Sequence, residues 1–284
     1  MLVLAGVVLT TVLAGLAAWN ERPYTADETA EAQDLASKEI ARCEKGPERA
    51  EDSAQCTERV TEWYYQRMRT TTDGVFVEDN TVSLSISLMM IGALIGATFV
   101  GGEFSSGSMS NLLLFESRRS RVWAAKLAAI GLVAVVWAVI CVGAFVAALT
   151  ILGRSWDPDA WGPHGVSAML NLGARNALAI AGATAVGAAL ALALRSTLAC
   201  VSVVIAYLVA EGVARIAFNN PVAEYALSHR VLGVLTGSHL VDLEEGNRVR
   251  QVPITLQDSA PILAGVFVVL CLGSVWMFRR RDVG

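Results

Sequence analysis

The sequence predicts an all-α integral membrane protein with six transmembrane helices, cytoplasmic termini and a helical extracytoplasmic insertion between the first two spans. The chain has 284 residues, 54% of them apolar and 17% charged, and a mean hydropathy of +0.51, too apolar for a soluble domain of this length. Six runs of about 20 apolar residues could each cross about 30 Å of hydrocarbon at about 1.5 Å per residue. They lack the alternation of barrel strands, so helices are expected.

The predicted spans follow these apolar runs in chain order. No basic residue precedes the first span, so it resembles a retained helix more than a cleaved secretory signal. The third is long for one crossing and is expected to tilt or to begin at the interface. The fourth is rich in small residues around Gly182 and Gly187, which permits close helix packing. The six spans are Met1–Trp19, Val82–Gly101, Ala124–Gly153, Ala168–Leu194, Thr197–Phe218 and Pro261–Phe278.

The basic residues of the connections predict the orientation, because short cytoplasmic loops retain Lys and Arg. The loop before the third span and the C-terminal tail are strongly basic, whereas the loop with Asp157 and Asp159 is acidic. This distribution places both termini in the cytoplasm. The cytoplasmic basic residues are Arg118, Arg119, Arg121, Lys126, Arg195, Arg279, Arg280 and Arg281.

After the first span (residues 1–19), residues 20–80 form a polar segment on the outside, with 15 acidic and eight basic residues. Helix-forming composition over Thr25–Arg42, a stop at Gly46-Pro47 and a renewed pattern from Pro47 to Met68 predict a helical hairpin. Cys43 and Cys56 flank its turn and can form a disulfide outside the membrane. The alternative is two unpaired thiols that the helices hold too far apart.

Residues 81–284 carry spans 2 to 6, with a cytoplasmic segment at 102–126 and an outer segment at 219–260. The semi-apolar stretch Pro221–Leu240 contains Glu224, His229 and Arg230, so it is not expected to span the membrane. It is expected either to enter the outer leaflet as a re-entrant element or to lie on the surface as a helix.

The sequence lacks several motifs of catalytic chemistry. It contains no G-x-x-x-x-G-K-[ST] phosphate loop, no H-E-x-x-H and no C-x-x-C, and it has three histidines. A self-contained ATPase, a zinc peptidase and a thiol redox enzyme are therefore poorly supported. We expect no catalytic residues, no metal site and no cofactor in this chain, and no nucleic-acid partner.

The cytoplasmic segment 102–126 can form a short interfacial helix with Leu112, Leu113 and Phe115 on its apolar side, ended by a Ser and Arg cluster. Such a helix can rest on lipid headgroups or bind in the groove of a partner. The basic residues alone have an ordinary explanation as topology anchors.

The spacing in this segment resembles the signature of ABC-2 type permeases, the membrane subunits of bacterial ABC exporters. That signature has an acid followed by an aromatic or basic residue, then Gly-Thr, a Leu-Leu pair, Pro, Arg, and a Lys that opens the third span. Ser108 replaces the usual Thr, and Glu116 stands where the family usually has Pro. The matching residues are Glu103, Phe104, Gly107, Ser108, Leu112, Leu113, Arg119 and Lys126.

The resemblance implies a homodimer or heterodimer of permease subunits in a bacterial plasma (inner) membrane, in contact with lipid. It also implies a separate ABC ATP-binding subunit that binds ATP and Mg and hydrolyses the nucleotide. In this family the connection after the second span is the coupling helix, seated in a groove of the ATPase. The resemblance therefore assigns coupling to Glu103–Lys126 and favours export.

Ionisable residues within the spans are functional candidates because they are costly in hydrocarbon. Arg175 and Glu211 lie at similar predicted depths, so adjacent antiparallel spans could pair them. Arg215 follows Glu211 by one turn, and Asn171 precedes Arg175 by one turn. A structural ion-pair network, a contact to substrate or gate, and snorkelling to the interface remain open.

Other function classes remain as alternatives to a permease. A membrane-anchored sensor or assembly factor would act through residues 20–80, but the pattern of Glu103–Lys126 would then be unexplained. A secondary transporter would be expected to show inverted repeats or broken helices. An intramembrane hydrolase would need a paired nucleophile and base, which no span offers.

Overall fold

The computed structural model describes residues 2–20, 22, 25–45, 56–60, 75–108, 119–156, 165–217, 225–245 and 248–280. These residues are mostly helical, and five of their helices are long and apolar enough to cross a membrane, which makes the chain a multi-pass membrane protein. The helices and strands are α1 (Leu2–Asn20), α2 (Ala26–Lys45), α3 (Val75–Ser105), α4 (Arg119–Trp156), α5 (Gly165–Leu194), α6 (Thr197–Ala217), α7 (Leu227–Thr236), β1 (Ser238–Glu245), β2 (Arg248–Thr255) and α8 (Leu256–Arg280).

The five long apolar helices coincide with predicted spans 2 to 6. They are α3, α4, α5, α6 and α8, and most extend beyond the apolar run that predicted them. Helix α1 coincides with the first predicted span, and its described side chains form a shorter apolar helical run, Gly6–Ala17. Helix α3 begins at Val75, so the polar segment at 20–80 ends earlier than its composition predicts.

Helices α3 and α5 form the centre of the bundle and lie side by side in the same chain direction. A Cβ at Gly96 would lie 2.0 Å from the Thr184 carbonyl oxygen, and one at Gly187 would lie 2.1 Å from that of Ala93. Only glycine permits this approach at these two positions. The predicted close packing of the fourth span is confirmed at Gly187, whereas a Cβ at Gly182 would meet no atom within 4 Å.

Two apolar clusters fill the bundle around this helix pair. In one, Trp137 and Phe145 of α4 pack with Leu84 of α3 and Ile180 of α5, and α1 adds Leu9 and Leu13 at its edge. The other lies where α3 ends and α4 begins. The remaining described spans, α6 and α8, lie outside this centre, and few residues of α6 are buried.

The predicted form of segment 219–260 is wrong in one respect, because it contains a β-hairpin. Strands β1 and β2 pair antiparallel from Ser238↔Thr255 to Glu245↔Arg248, joined in sequence by Gly246-Asn247. Val and Ile are common in strands, and a Gly-Asn pair between two such runs favours a tight hairpin. The described chain is therefore an α-helical bundle with one two-stranded sheet at the end that we name the hairpin end.

The polar segment contains helix α2 and a disulfide. Helix α2 begins after Thr25, whose hydroxyl and amide both contact the Glu28 carboxylate in a capping box. Cys43 near its end is joined to Cys56, at a Cα–Cα distance of 5.9 Å, and residues 56–60 are helical. The structure thus contains the predicted bridge, while the predicted turn at Gly46-Pro47 lies outside the described residues.

Candidate functional site

The end of the bundle opposite the hairpin brings together Glu103 and Lys126, the first and last residues of the signature in segment 102–126. Glu103 lies in the last turn of α3, and Lys126 lies two turns into α4. The Lys126 ammonium contacts both carboxylate oxygens of Glu103, and both side chains are partly buried. A charge-assisted contact of this kind is stronger than one between neutral groups, so it fastens the two helices across the segment between them.

Phe104 contacts a third connection at the same end of the bundle. The guanidinium of Arg195 lies 5.8 Å from the centre of the Phe104 ring, and the ring also packs against the apolar cluster that contains Trp123. Arg195 joins α5 to α6 and has a left-handed backbone with φ of +55°. Sequence reasoning used Arg195 only to orient the chain, because one Arg between two spans is an ordinary topology signal.

Gly107 and Ser108 follow the last residue of α3. Gly107 has φ of +72°, a conformation that glycine adopts without steric cost, and its amide donates to the Phe104 carbonyl at 3.3 Å. The Ser108 hydroxyl lies 3.4 Å from the carbonyl oxygen of Glu103. These contacts satisfy carbonyls that the last turn leaves without helical partners. The Gly-Ser pair of the signature therefore ends the helix and begins the connection.

The other signature residues are only partly accounted for by the structure. Arg119 is the first residue of α4. Leu112 and Leu113, expected on the apolar side of a short helix, lie outside the described residues. The part that the structure describes is therefore a brace, defined as Glu103 with Lys126 and Phe104 with Arg195.

A second polar site lies at the hairpin end, where α5 holds the C-terminus of α7. The Arg175 guanidinium donates to the Thr236 carbonyl at 3.4 Å, and the amide nitrogen of Asn176 donates to the Leu235 carbonyl at 3.2 Å. Both acceptors belong to the last turn of α7, where carbonyls lack helical partners and the helix dipole is negative. Arg175 thus complements this helix end in charge.

The N-terminus of α7 is held by α6. The Ser228 hydroxyl donates to the Glu211 carboxylate, and the amide of Leu227 donates to the Tyr207 hydroxyl at 3.4 Å. Glu211 therefore lies beside the positive end of the same helix dipole. The expected pairing of Arg175 with Glu211 is wrong, because the described ion pairs do not join them and each contacts an opposite end of α7.

Of the other two predicted members of the intramembrane network, Asn171 is the one whose side chain the structure describes. The side chain of Asn171 is exposed, whereas Asn176, which the prediction did not include, is fully buried. Asn176 also donates to the Leu172 carbonyl of its own helix at 2.8 Å. Arg215 lies in the last turn of α6. The prediction therefore named the right part of α5 but missed Asn176, which contacts α7 beside Arg175.

A histidine pair joins α7 to β1. Nδ1 of His229 lies 3.0 Å from Nε2 of His239, and the rings are stacked with centroids 5.1 Å apart. Burial lowers the pKa of His239 below its ordinary value, which favours the neutral ring. No group of three or more His, Cys, Asp or Glu among the described residues could hold a metal ion.

Comparison with known proteins gives one match. Residues 62–284 match the family described as "Protein of unknown function (DUF2705)". No curated protein and no solved structure is significantly similar to the chain.

Proposed function

We propose that this chain, which belongs to the DUF2705 family, is the permease subunit of an ABC exporter and is coupled to a separate ATP-binding subunit. The observation that carries the proposal is the contact between Glu103 and Lys126. These residues are the first and last positions of the coupling signature, 23 residues apart in sequence. Their pairing gives the signature a physical role that the anchoring of basic residues at the membrane surface does not require.

The brace explains how a cytoplasmic partner could move several spans together. Glu103 and Lys126 join α3 to α4, and Phe104 contacts Arg195 between α5 and α6. A force applied to the connection between α3 and α4 would therefore reach the ends of four helices. ATP-driven closure of the ATPase subunits, acting on this connection, would then rock the helices and change access to a path between permease halves.

Helix α6 supports the proposed assembly with a second permease subunit. It is apolar enough to span the membrane, yet few of its residues are buried within the single chain. Large apolar side chains are exposed along most of its length, and lipid or a second subunit must cover them. These side chains are Leu198, Val203, Ile205, Tyr207, Leu208, Val209 and Val213.

The division of labour between subunits follows from the proposal. ATP and Mg bind to the partner, and this chain supplies the membrane path and no catalytic residue. We propose a multi-pass location in a bacterial plasma membrane with both termini in the cytoplasm. In this orientation the brace faces the ATPase, and the hairpin end with α2 faces outward.

The test is to purify the tagged chain in a gentle detergent from its native membrane, identify the co-purifying proteins and measure ATP turnover. We expect a stoichiometric nucleotide-binding subunit. Arg119→Ala and Leu113→Asp should release that subunit or reduce ATP turnover, while the amount of chain in the membrane is unchanged. Arg22→Ala is the matched control, because it removes an exposed Arg from the polar segment.

Two results would contradict the proposal. One is wild-type partner binding and ATP turnover in both cytoplasmic variants. The other is a chain that purifies without any ATPase but with an extracytoplasmic protein whose binding requires residues 20–80. The second result would favour the anchored sensor or assembly factor, for which the disulfide-linked polar segment offers a binding surface.

A further inference from the structure

A groove of about 550 Å³ runs between α4 and α5 on the membrane-facing side of the bundle. This volume lies within the range of about 300–1,000 Å³ that is typical of small-molecule sites in proteins. The groove is lined by one stripe of α4, from Val139 to Arg154, and by the start of α5 around Gly173. Its walls are apolar along nearly the whole length.

Two glycines leave open space in the walls of the groove. Gly143 and Gly173 line it from opposite sides, and a Cβ at either position would meet no atom within 4 Å. These glycines therefore differ from Gly187, which brings two backbones together. Thr150 also lines the groove, but its hydroxyl donates to the Val146 carbonyl at 2.6 Å. The surface offered to an occupant is accordingly apolar.

The groove is longer than the hydrocarbon depth of one leaflet of a bilayer. Val139 and Arg154 are 15 residues apart on one helix, which corresponds to about 22 Å at about 1.5 Å per residue. One leaflet contributes roughly half of the 30 Å hydrocarbon core. An acyl chain with its headgroup at Arg154 could thus lie within the groove along the whole hydrocarbon depth of its leaflet, and the headgroup would occupy the remaining length beside Arg154.

Arg154 supplies a charge at the mouth of the groove. It lies in the last turn of α4, its side chain is exposed, and no hydrogen bond or ion pair joins it to the described part of the chain. A guanidinium binds a phosphate oxygen pair in a planar, bidentate arrangement. A cation at this position therefore complements the phosphate of a lipid whose chain occupies the apolar walls.

We propose that this groove is a binding site for one anionic phospholipid from the leaflet that contains Arg154. Its phosphate contacts Arg154, and one acyl chain lies against Gly143 and Gly173. The site does not depend on the proposed transport function, because it uses neither the brace nor an ATPase. It would fix a lipid beside the apolar core that joins these two spans, since Val146 and Met169 line the groove and also pack against that core.

The test compares lipid retention by native mass spectrometry after titration of the purified full chain with phosphatidylglycerol or phosphatidylcholine. Wild type should bind one phosphatidylglycerol in preference to phosphatidylcholine. Arg154→Gln should lose about fivefold in affinity for phosphatidylglycerol, the effect expected of one cation near a membrane surface, with little change for phosphatidylcholine. Gly143→Leu should abolish the tight site for both lipids by filling the groove.

The matched control is Gly131→Leu, on the same helix. A Cβ there also meets no atom within 4 Å, but Gly131 does not line the groove. This variant should bind lipid as wild type does. Unchanged lipid selectivity in Arg154→Gln would overturn the proposal, as would unchanged binding in Gly143→Leu. A tight site for phosphatidylcholine equal to that for phosphatidylglycerol in wild type would also overturn it.

Discussion

Breaking the contact between Glu103 and Lys126 should destabilise the bundle, and exchanging the two charges should restore it. The single variants are Glu103→Lys and Lys126→Glu, and the exchange variant carries both. Each single variant places two like charges where the wild type has an ion pair. The exchange variant keeps opposite charges at the same two positions, so its stability reports the pairing itself.

The burial of the two side chains determines how much the free energy of unfolding falls when the pair is broken. The side chains of Lys126 and Glu103 are 16% and 21% exposed. Exposed pairs contribute about 0.2–1 kcal/mol and broken buried pairs cost about 3–5 kcal/mol, so a partly buried pair should cost about 2 kcal/mol when broken. A loss of about 2 kcal/mol changes the ratio of folded to unfolded chain by roughly 30-fold.

The assay is equilibrium unfolding in mixed detergent micelles, followed by tryptophan fluorescence. Trp123 is a local reporter, because it is 1% exposed and lies one turn before Lys126. The exchange variant should recover wild-type stability to within about 0.5 kcal/mol, the usual limit of additivity between sites. In complex with the proposed ATP-binding partner it should also recover ATP turnover. The reasoning is refuted if both single variants are as stable as wild type, or if the exchange variant is no more stable than they are.

Three further predictions concern the helix core, the disulfide and the histidine pair. Gly187→Leu should destabilise the bundle by at least about 1–3 kcal/mol because its side chain would meet the backbone of α3, whereas Gly182→Leu should unfold like wild type in the same thermal assay. Cys43 and Cys56 should resist thiol labelling until reductant is added; full labelling without reductant would contradict the bridge, and its removal should cost up to about 3 kcal/mol. Because the pKa of His239 is lowered in the folded chain, its contribution to stability should be complete above its unfolded pKa of about 6.5 and be lost as pH falls toward the folded value. Unfolding at pH 7.5 and 5.5 should therefore show a smaller difference in His239→Gln than in wild type, and an equal difference would count against this assignment.

The membrane-spanning helices were predictable because hydropathy reports directly on their environment. Runs such as Val82–Gly101 and Ala168–Leu194 have no other stable form in hydrocarbon than a helix. The signature identified Glu103 and Lys126 as functional positions but did not predict their contact. Sequence spacing does not show that two side chains turn toward each other. The role of Gly107 could have been derived locally, because a Gly after a long helical run is the usual C-terminal signal.

The contacts of the polar site at the hairpin end could not be predicted from the sequence. The prediction placed Arg175 and Glu211 at a similar depth, but two opposite charges at one depth have partners available other than each other. Here those partners are the two ends of α7, a helix only 10 residues long. The hairpin was not predicted, because Pro221–Leu240 was treated as one semi-apolar element. That stretch includes Gly237, which has φ of +88° and follows the last residue of α7. A glycine at that point separates the helix from strand β1.

The brace also affects how a partner would bind the connection from α3 to α4, because the contact between Glu103 and Lys126 joins the two ends of that connection. The apolar cluster with Trp123 packs the end of α3 against the start of α4, and the ion pair adds a directional contact between the same two helix ends. The contact between Glu103 and Lys126 fixes the spacing before any partner arrives. The entropy of closing the loop is then lost during folding and not during association. A partner with a groove of fixed width would then bind a connection whose two ends already lie at a fixed distance from each other.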